Sequence, residues 1–265
     1  VEVLKGMVWH EKLGSIHDRT QRLGYLVEEL ARAIAPQARA AAARAARLCK
    51  ADLATEMVRS GKEFATLQGI IGAEYAAATG EPEGVVRAIR EHYLPQGPSD
   101  PLPATVEGTL LSLADRLETM VGGLRAGLEV TGSQDPYGLR RAGNGVVRIL
   151  LEKQLRLDAL AVAERLSSFF EKSGIPADPK AGDLSLFWAQ RVESALEELG
   201  VSHDSAAAAL AVRPGDPLDV LARARAIDAI RQSPDFDGLM VGYRRVANLL
   251  RTAKPEDIGG SDTPL

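Results

Sequence analysis

Leu110-Leu111-Ser112-Leu113-Ala114-Asp115-Arg116-Leu117-Glu118-Thr119-Met120-Val121-Gly122-Gly123-Leu124 sets Leu110, Leu113, Leu117, Met120 and Leu124 at steps of 3, 4, 3 and 4. That is the period of one face of an α-helix, not the alternation of a strand. Working outward, Ile16, Leu23, Val27, Leu30 and Ile34 follow at steps of 7, 4, 3 and 4, and Phe236, Leu239, Tyr243, Val246 and Leu250 repeat the pattern. Strand-like alternation is confined to the first few residues, so the expected fold is all-α. Asp135-Pro136 and Asp216-Pro217 each place a side-chain acceptor ahead of a proline. There the proline ring fits the first helical position and its missing N–H costs nothing, which predicts two helix starts.

The wider composition agrees. In 265 residues, 45% are hydrophobic and only 5% aromatic, enough apolar mass for a core built from aliphatic helices. No apolar run approaches the length of a membrane span and no signal-peptide pattern opens the chain, so a cytoplasmic protein with no membrane partner is expected. Cys49 is the single cysteine, which excludes an internal disulfide and cysteine-based zinc sites. A net charge of -4 excludes a protein that coats nucleic acid non-specifically, though not a local basic face.

Two stretches punctuate the helices. Pro95-Gln96-Gly97-Pro98-Ser99-Asp100-Pro101-Leu102-Pro103 holds four prolines and reads as a loop. Ser173-Gly174-Ile175-Pro176-Ala177-Asp178-Pro179-Lys180-Ala181-Gly182 reads as a domain boundary. The expected division is a helical domain over 1–172, a linker over 173–183, a smaller helical piece over 184–254 and a flexible tail over 255–265. The chain opens at Val1 in mid-pattern, as if at the end of an upstream element, and is expected to be a piece of a longer protein.

The most tempting chemistry begins at His17-Asp18. A His-Asp pair in an all-α chain is similar to the metal-dependent phosphohydrolases of the HD superfamily, which gather a first His, a central His-Asp pair and a distal Asp around a divalent ion. Such an ion would generate a hydroxide nucleophile. With His17 as the first ligand, Asp52 would be the central Asp and Asp115 the distal one, but Ala51 stands where the central His should be. The competing reading is that His17 and Asp18 merely cap the first helix. His92 could join a metal site or be a surface or packing residue. Cys49 has no evident His partner and reads as a small buried thiol. No nucleophile elbow, phosphate-cradling loop or dinucleotide fingerprint is present, so no catalytic residue is assigned.

Two basic faces remain. Opposite the apolar stripe Leu139, Gly143, Val146 and Leu150 stand Arg141, Asn144, Arg148 and Glu152, with Arg140 beside them. Further on, Arg244, Asn248 and Arg251 share a face, with Arg245 adjacent and Lys254 following. Arginine forks facing solvent suit phosphate contacts, although a charged helix face is more often simply solvated.

Seven strings then fall in order: Trp9-His10-Glu11-Lys12-Leu13-Gly14, Lys50-Ala51-Asp52-Leu53-Ala54-Thr55-Glu56-Met57-Val58, Leu67-Gln68-Gly69-Ile70-Ile71-Gly72, Glu91-His92-Tyr93-Leu94-Pro95, Ala114-Asp115-Arg116-Leu117-Glu118-Thr119-Met120, Thr131-Gly132-Ser133-Gln134-Asp135-Pro136-Tyr137-Gly138, and Gly145-Val146-Val147-Arg148-Ile149-Leu150. Together they resemble the β subunit of bacterial heterotetrameric glycyl-tRNA synthetase. Asp216-Pro217-Leu218-Asp219-Val220-Leu221 and Tyr243-Arg244-Arg245-Val246-Ala247-Asn248-Leu249-Leu250 look like the start of that subunit's anticodon-binding domain.

The resemblance implies a degenerate HD-like bundle followed by an incomplete anticodon-binding-like helical domain. It implies tRNA(Gly) and the synthetase α subunit as partners, with no cofactor held by this chain because the α subunit carries the aminoacylation site and uses ATP. The tRNA-binding candidates are then Arg140, Arg141, Arg148, Arg244, Arg245 and Arg251. A metal-dependent phosphohydrolase and a pure scaffold remain the alternatives. Two departures stand within the matched part: the glycine-containing string Arg59–Thr66, where the family usually has an acidic-aromatic string, and Gly143-Asn144.

Overall fold

The computed structural model describes residues 1–59, 66–128 and 135–252. Parts of the Arg59–Thr66 and Thr131–Gly138 strings, Lys254 and the tail over 255–265 lie outside the described residues. Within them the fold is all-α, as the periodicity predicts. A short antiparallel hairpin, β1 (Val8–His10) and β2 (Gly14–Ser15), leads into α1 (Ile16–Ile34). There follow α2 (Arg39–Leu48), α3 (Glu56–Arg59), α4 (Ile70–Ala78), α5 (Glu83–Glu91), α6 (Val106–Arg125), α7 (Leu139–Glu152) and α8 (Ala159–Lys172). The series continues with α9 (Leu184–Glu198), α10 (His203–Leu210), α11 (Pro217–Arg231) and α12 (Phe236–Thr252).

Local chemistry sets the helix starts. Ser15 and Asp18 form a reciprocal capping box on α1, each side chain accepting the other's backbone N–H. Thr105, Asp158 and Asp183 cap α6, α8 and α9. Asp216 accepts from the N–H groups of Leu218 and Asp219, with Pro217 at the first helical position, as expected. The start predicted at Asp135-Pro136 is corrected: α7 begins at Leu139, after Gly138 at φ 70°. A turn closed by the Gly138 N–H on the Asp135 carbonyl intervenes, and the left-handed glycine redirects the chain. The Asp135 carboxylate still accepts from the Arg141 N–H at 3.2 Å.

α6 is the axis of the molecule. The stripe Leu110, Leu113, Leu117, Met120 and Leu124 is buried, but so is nearly every other residue of the helix, because α1, α2, α5, α7 and α8 pack around it. Truncating Leu113 or Leu117 to alanine in such a surround costs about 2–5 kcal/mol. Since α6 also carries Asp115, Arg116 and Glu118, its burial on all sides forces those charges to find partners inside the protein.

α9 and α11 lie against α7, and α10 packs on both α9 and α11. Trp188 is fully buried there and donates its indole N–H to the Pro214 carbonyl at 2.7 Å. The segment 173–183 is irregular and tied down: Asp178 and Gly182 donate backbone N–H groups to the carbonyls of Arg125 and Leu124, and Lys12 pairs with the Asp178 carboxylate at 2.7 Å. α12 forms where its periodicity predicts, yet Leu239, Tyr243, Val246 and Leu250 are all more than half exposed, so its apolar stripe covers no core.

Candidate functional site

The three degenerate HD positions, which only the phosphohydrolase alternative would place around a metal, do not converge. His17 sits half-buried on the first turn of α1, and Asp18 is engaged in the capping box, so that pair decorates the helix start. Among the described residues, the set His17, Asp52 and Asp115 does not bring its ligand atoms within 4.8 Å of one another. Glu193, Glu197 and His203 do, but on the largely exposed surface of α9 and α10. Cys49 is fully buried and its thiol is pushed up to about 12 by desolvation, an inert group.

What lies at the inner face of α6 is a lysine. Lys50 is 1% exposed, and its ammonium donates to Asp115 Oδ1 at 2.8 Å and to His92 Nε2 at 3.0 Å. It also lies 4.0 Å from the centre of the Tyr93 ring. The imidazole orientation follows: His92 Nδ1–H donates to the Ile89 carbonyl at 2.6 Å, leaving Nε2 as the acceptor for the lysine. Burial, helped by the charge of Lys50, pulls His92 down to about 3, so it stays neutral. Desolvation opposes charge on Asp115 and Lys50, and it is outweighed on both. Arg19 and Lys50 hold the Asp115 carboxyl below the usual carboxylate range, while Asp115 raises the Lys50 ammonium. Of the surface and packing readings of His92, the fold selects packing: the side chain is completely enclosed.

Around this centre the charges continue to match. Arg19 Nη2 donates to Asp115 at 3.1 Å and to Thr119 at 2.7 Å, and its Nε pairs with Glu118 at 2.8 Å. Arg22 pairs with the other oxygen of Glu118 and donates to the Leu13 carbonyl. Asp52 accepts from the Gly69 N–H at 2.7 Å, and burial raises its carboxyl above the usual range. Its Oδ1 is buried without a hydrogen-bond partner.

The second region lies on the other side of α7. Arg141, Asn144, Arg148 and Glu152, the polar stripe foreseen in the sequence, form one wall of a cleft of about 560 Å³. The loop Pro95–Pro98 and α9 supply the others. Arg148 is engaged, donating to Glu152 at 2.6 Å and to the Gly97 carbonyl at 3.2 Å. Arg141 is exposed and its guanidinium makes no hydrogen bond or ion pair among the described residues. Arg191 of α9, which the sequence reading passed over, enters the same cleft. Its Nε is buried and unpartnered, its guanidinium lies 5.3 Å from the Phe187 ring, and burial together with the charge of Arg140 pulls its proton affinity down. Gly143 makes room for it, since a Cβ there would fall 2.9 Å from Arg191 Cγ. Asp135 acts on Arg191 from nearby without a direct ion pair, so an anion entering would gain two guanidinium groups whose hydrogen-bonding capacity is not taken up by a carboxylate among the described residues.

Arg140 is half-buried next to this cleft, while Arg244, Arg245 and Arg251 are exposed on α12, so the six arginines fall into two separate groups. The segment Glu91–Pro95 links cleft and centre: His92 and Tyr93 face Lys50, and Pro95 lines the cleft. Arg116 braces it by donating to the carbonyls of Tyr93 (2.9 Å) and Pro95 (2.5 Å).

Residues 1–211 match the family described as glycyl-tRNA synthetase beta subunit. The glycine–tRNA ligase beta subunit of Acidobacterium capsulatum is 41% identical over 264 residues, covering 96% of this chain and 36% of the relative. That of Pseudomonas fluorescens is 42% identical over 248 residues, 93% of this chain and 35% of the relative. That of Marinobacter nauticus is 38% identical over 266 residues, 100% of this chain and 38% of the relative. The chain spans little more than a third of the length of these curated relatives.

Proposed function

The chain belongs to the glycyl-tRNA synthetase beta subunit family, and from that premise we propose that it is a tRNA-binding and assembly portion of glycine–tRNA ligase with no chemistry of its own. On this reading the α subunit joins glycine to tRNA(Gly) and uses the ATP, in the cytoplasm. The present chain holds tRNA so that its reactive end is presented to that subunit, a contribution of position. An HD-like domain over 1–172 and a partial anticodon-binding-like domain over 184–254 are the division that goes with it.

The observation that carries the reading is the arginine wall of α7: Arg141 and Arg148 face an open cleft, with Arg140 beside them, in a protein whose overall charge is negative. Basic groups concentrated on one face of an acidic protein suit local phosphate contacts rather than general adhesion. The phosphohydrolase alternative is the weaker one, because the ammonium of Lys50 already holds Asp115 and His92 where a divalent ion would have to sit.

The test uses the intact beta subunit carrying this chain, assembled with the α subunit. Replacing Arg140, Arg141 and Arg148 together by glutamine should weaken tRNA(Gly) binding about tenfold at moderate salt. It should also flatten the plot of log affinity against log salt by about 2, as lost phosphate contacts require. An unchanged slope would sink the assignment of these arginines.

A further inference from the structure

We propose that the cleft between the Pro95–Pro98 loop, α7 and α9 is a pocket for one unpaired nucleotide of an RNA strand, with its phosphate on Arg141 and Arg191 and its base against the apolar wall. The inference rests on the RNA-binding reading above and deepens it. No sequence pattern points to this pocket, because its two unpaired cations come from helices 50 residues apart in the chain and meet only in the fold.

Three features argue for a single nucleotide. A concave volume of about 560 Å³ lies in the range of small-molecule pockets, whereas the convex backbone of a duplex would touch only the rim. The lining divides by chemistry: Arg141 and Arg191 are cationic and their guanidinium groups make no ion pair among the described residues, with the Asp135 carboxylate nearby, while Pro95, Pro98, Leu151 and Leu199 offer an apolar surface to a flat ring. Unstacked bases are recognised in this manner, one face on protein and the phosphate on a cation. Last, the carboxylate of Glu152 is taken up by Arg148, but that of Glu198 stands at the cleft. It can accept from ribose hydroxyls and repels a second phosphate, which disfavours a run of backbone.

The experiment separates the pocket from the general reading. Ser194 lines the cleft from an exposed position on α9, so Ser194→Trp fills the cavity without removing a charge or a core contact, and Ser194→Ala is its control. In the intact subunit assembled with its α partner, binding is measured to tRNA(Gly) and to a blunt RNA duplex with no unpaired residue. The expected result is about tenfold weaker tRNA binding by Ser194→Trp at an unchanged salt slope, the scale of one lost base contact. Duplex binding and the alanine control should not move. Arg191→Gln should instead lower the salt slope by about 1.

Failure of the wild-type protein to bind tRNA overturns the RNA reading itself. Normal tRNA binding that Ser194→Trp leaves intact, or a loss equal for tRNA and duplex, overturns only the pocket. Nucleoside 5′-monophosphates that occupy the cleft at micromolar concentration without competing with tRNA would assign it to a free nucleotide and overturn the RNA source.

Discussion

Along the inner face of α6, Arg19, Arg22 and Lys50 pair with Asp115 and Glu118, all five buried, and the buried Asp52 stands nearby on the Gly69 N–H. Across α7, Arg141 and Arg191 share an open cleft, and among the described residues no carboxylate is bonded to either guanidinium. The same kinds of side chain do opposite work in the two places. Burial makes an unmatched charge so costly that Lys50, Arg19 and Arg22 had to be neutralised internally, and once paired these cations are taken up by Asp115 and Glu118 rather than free for a ligand. Solvent access makes an unmatched arginine tolerable in the cleft, and its unspent hydrogen-bonding capacity is what a phosphate would use. Binding potential therefore lies at the cleft, although the sequence first draws the eye to Asp52, Asp115 and His92.

The contrast can be broken most severely at Lys50. Lys50→Ala strands Asp115 and His92 beside a cavity and should cost about 3–5 kcal/mol, the usual effect of removing one member of a buried pair. Urea denaturation measures it, and a loss below about 1 kcal/mol would mean that the ammonium is not what balances the centre.

Acid should open the same region gradually. His92 is lowered to about 3 in the folded chain against about 6.5 unfolded, so the unfolded state binds its proton first. Its stabilising contribution is complete above about pH 6.5 and is lost as the pH falls, on the order of 1 kcal/mol per pH unit. Asp115, also depressed, adds to the loss only below its unfolded value near pH 4. His203, raised by the hydrogen bond to Glu197 and by Glu193, acts in the other direction from the surface. His92→Gln should flatten the stability profile between pH 6.5 and 4, and a persisting slope would place its origin elsewhere.

The smallest effect is expected in the cleft. Arg141→Gln removes an exposed side chain that braces nothing, so stability should change by no more than about 0.5 kcal/mol. A larger loss in the same urea titration would show that Arg141 has a structural partner and that the two regions differ less than their geometry implies.

Much of this was readable along the chain. The 3-4 spacing of leucines settles the helical class, because a helix must bury one stripe whatever it packs against. The α7 arginine face is legible for the same reason, as are the caps at Ser15 and Asp216, which act over two or three residues. Four strings of the family resemblance also turn out to hold the centre: Lys50 with Asp52, Gly69, His92 with Tyr93, and Asp115 with Glu118.

Tertiary structure alone decided the rest. Periodicity gives α6 one buried stripe, and only the helices gathered around it bury its charged residues as well. Beside Ala51, where an HD protein would carry histidine, the role of Lys50 is invisible locally, since it lies in contacts with His92 and Asp115, 42 and 65 positions away. Arg191 sits in an ordinary helical pattern, and nothing local tells that Gly143 leaves space for it. Helix period and capping are short-range and written in neighbouring residues. Whether a charge is buried, and what neutralises it, depends on elements brought together from distant parts of the chain.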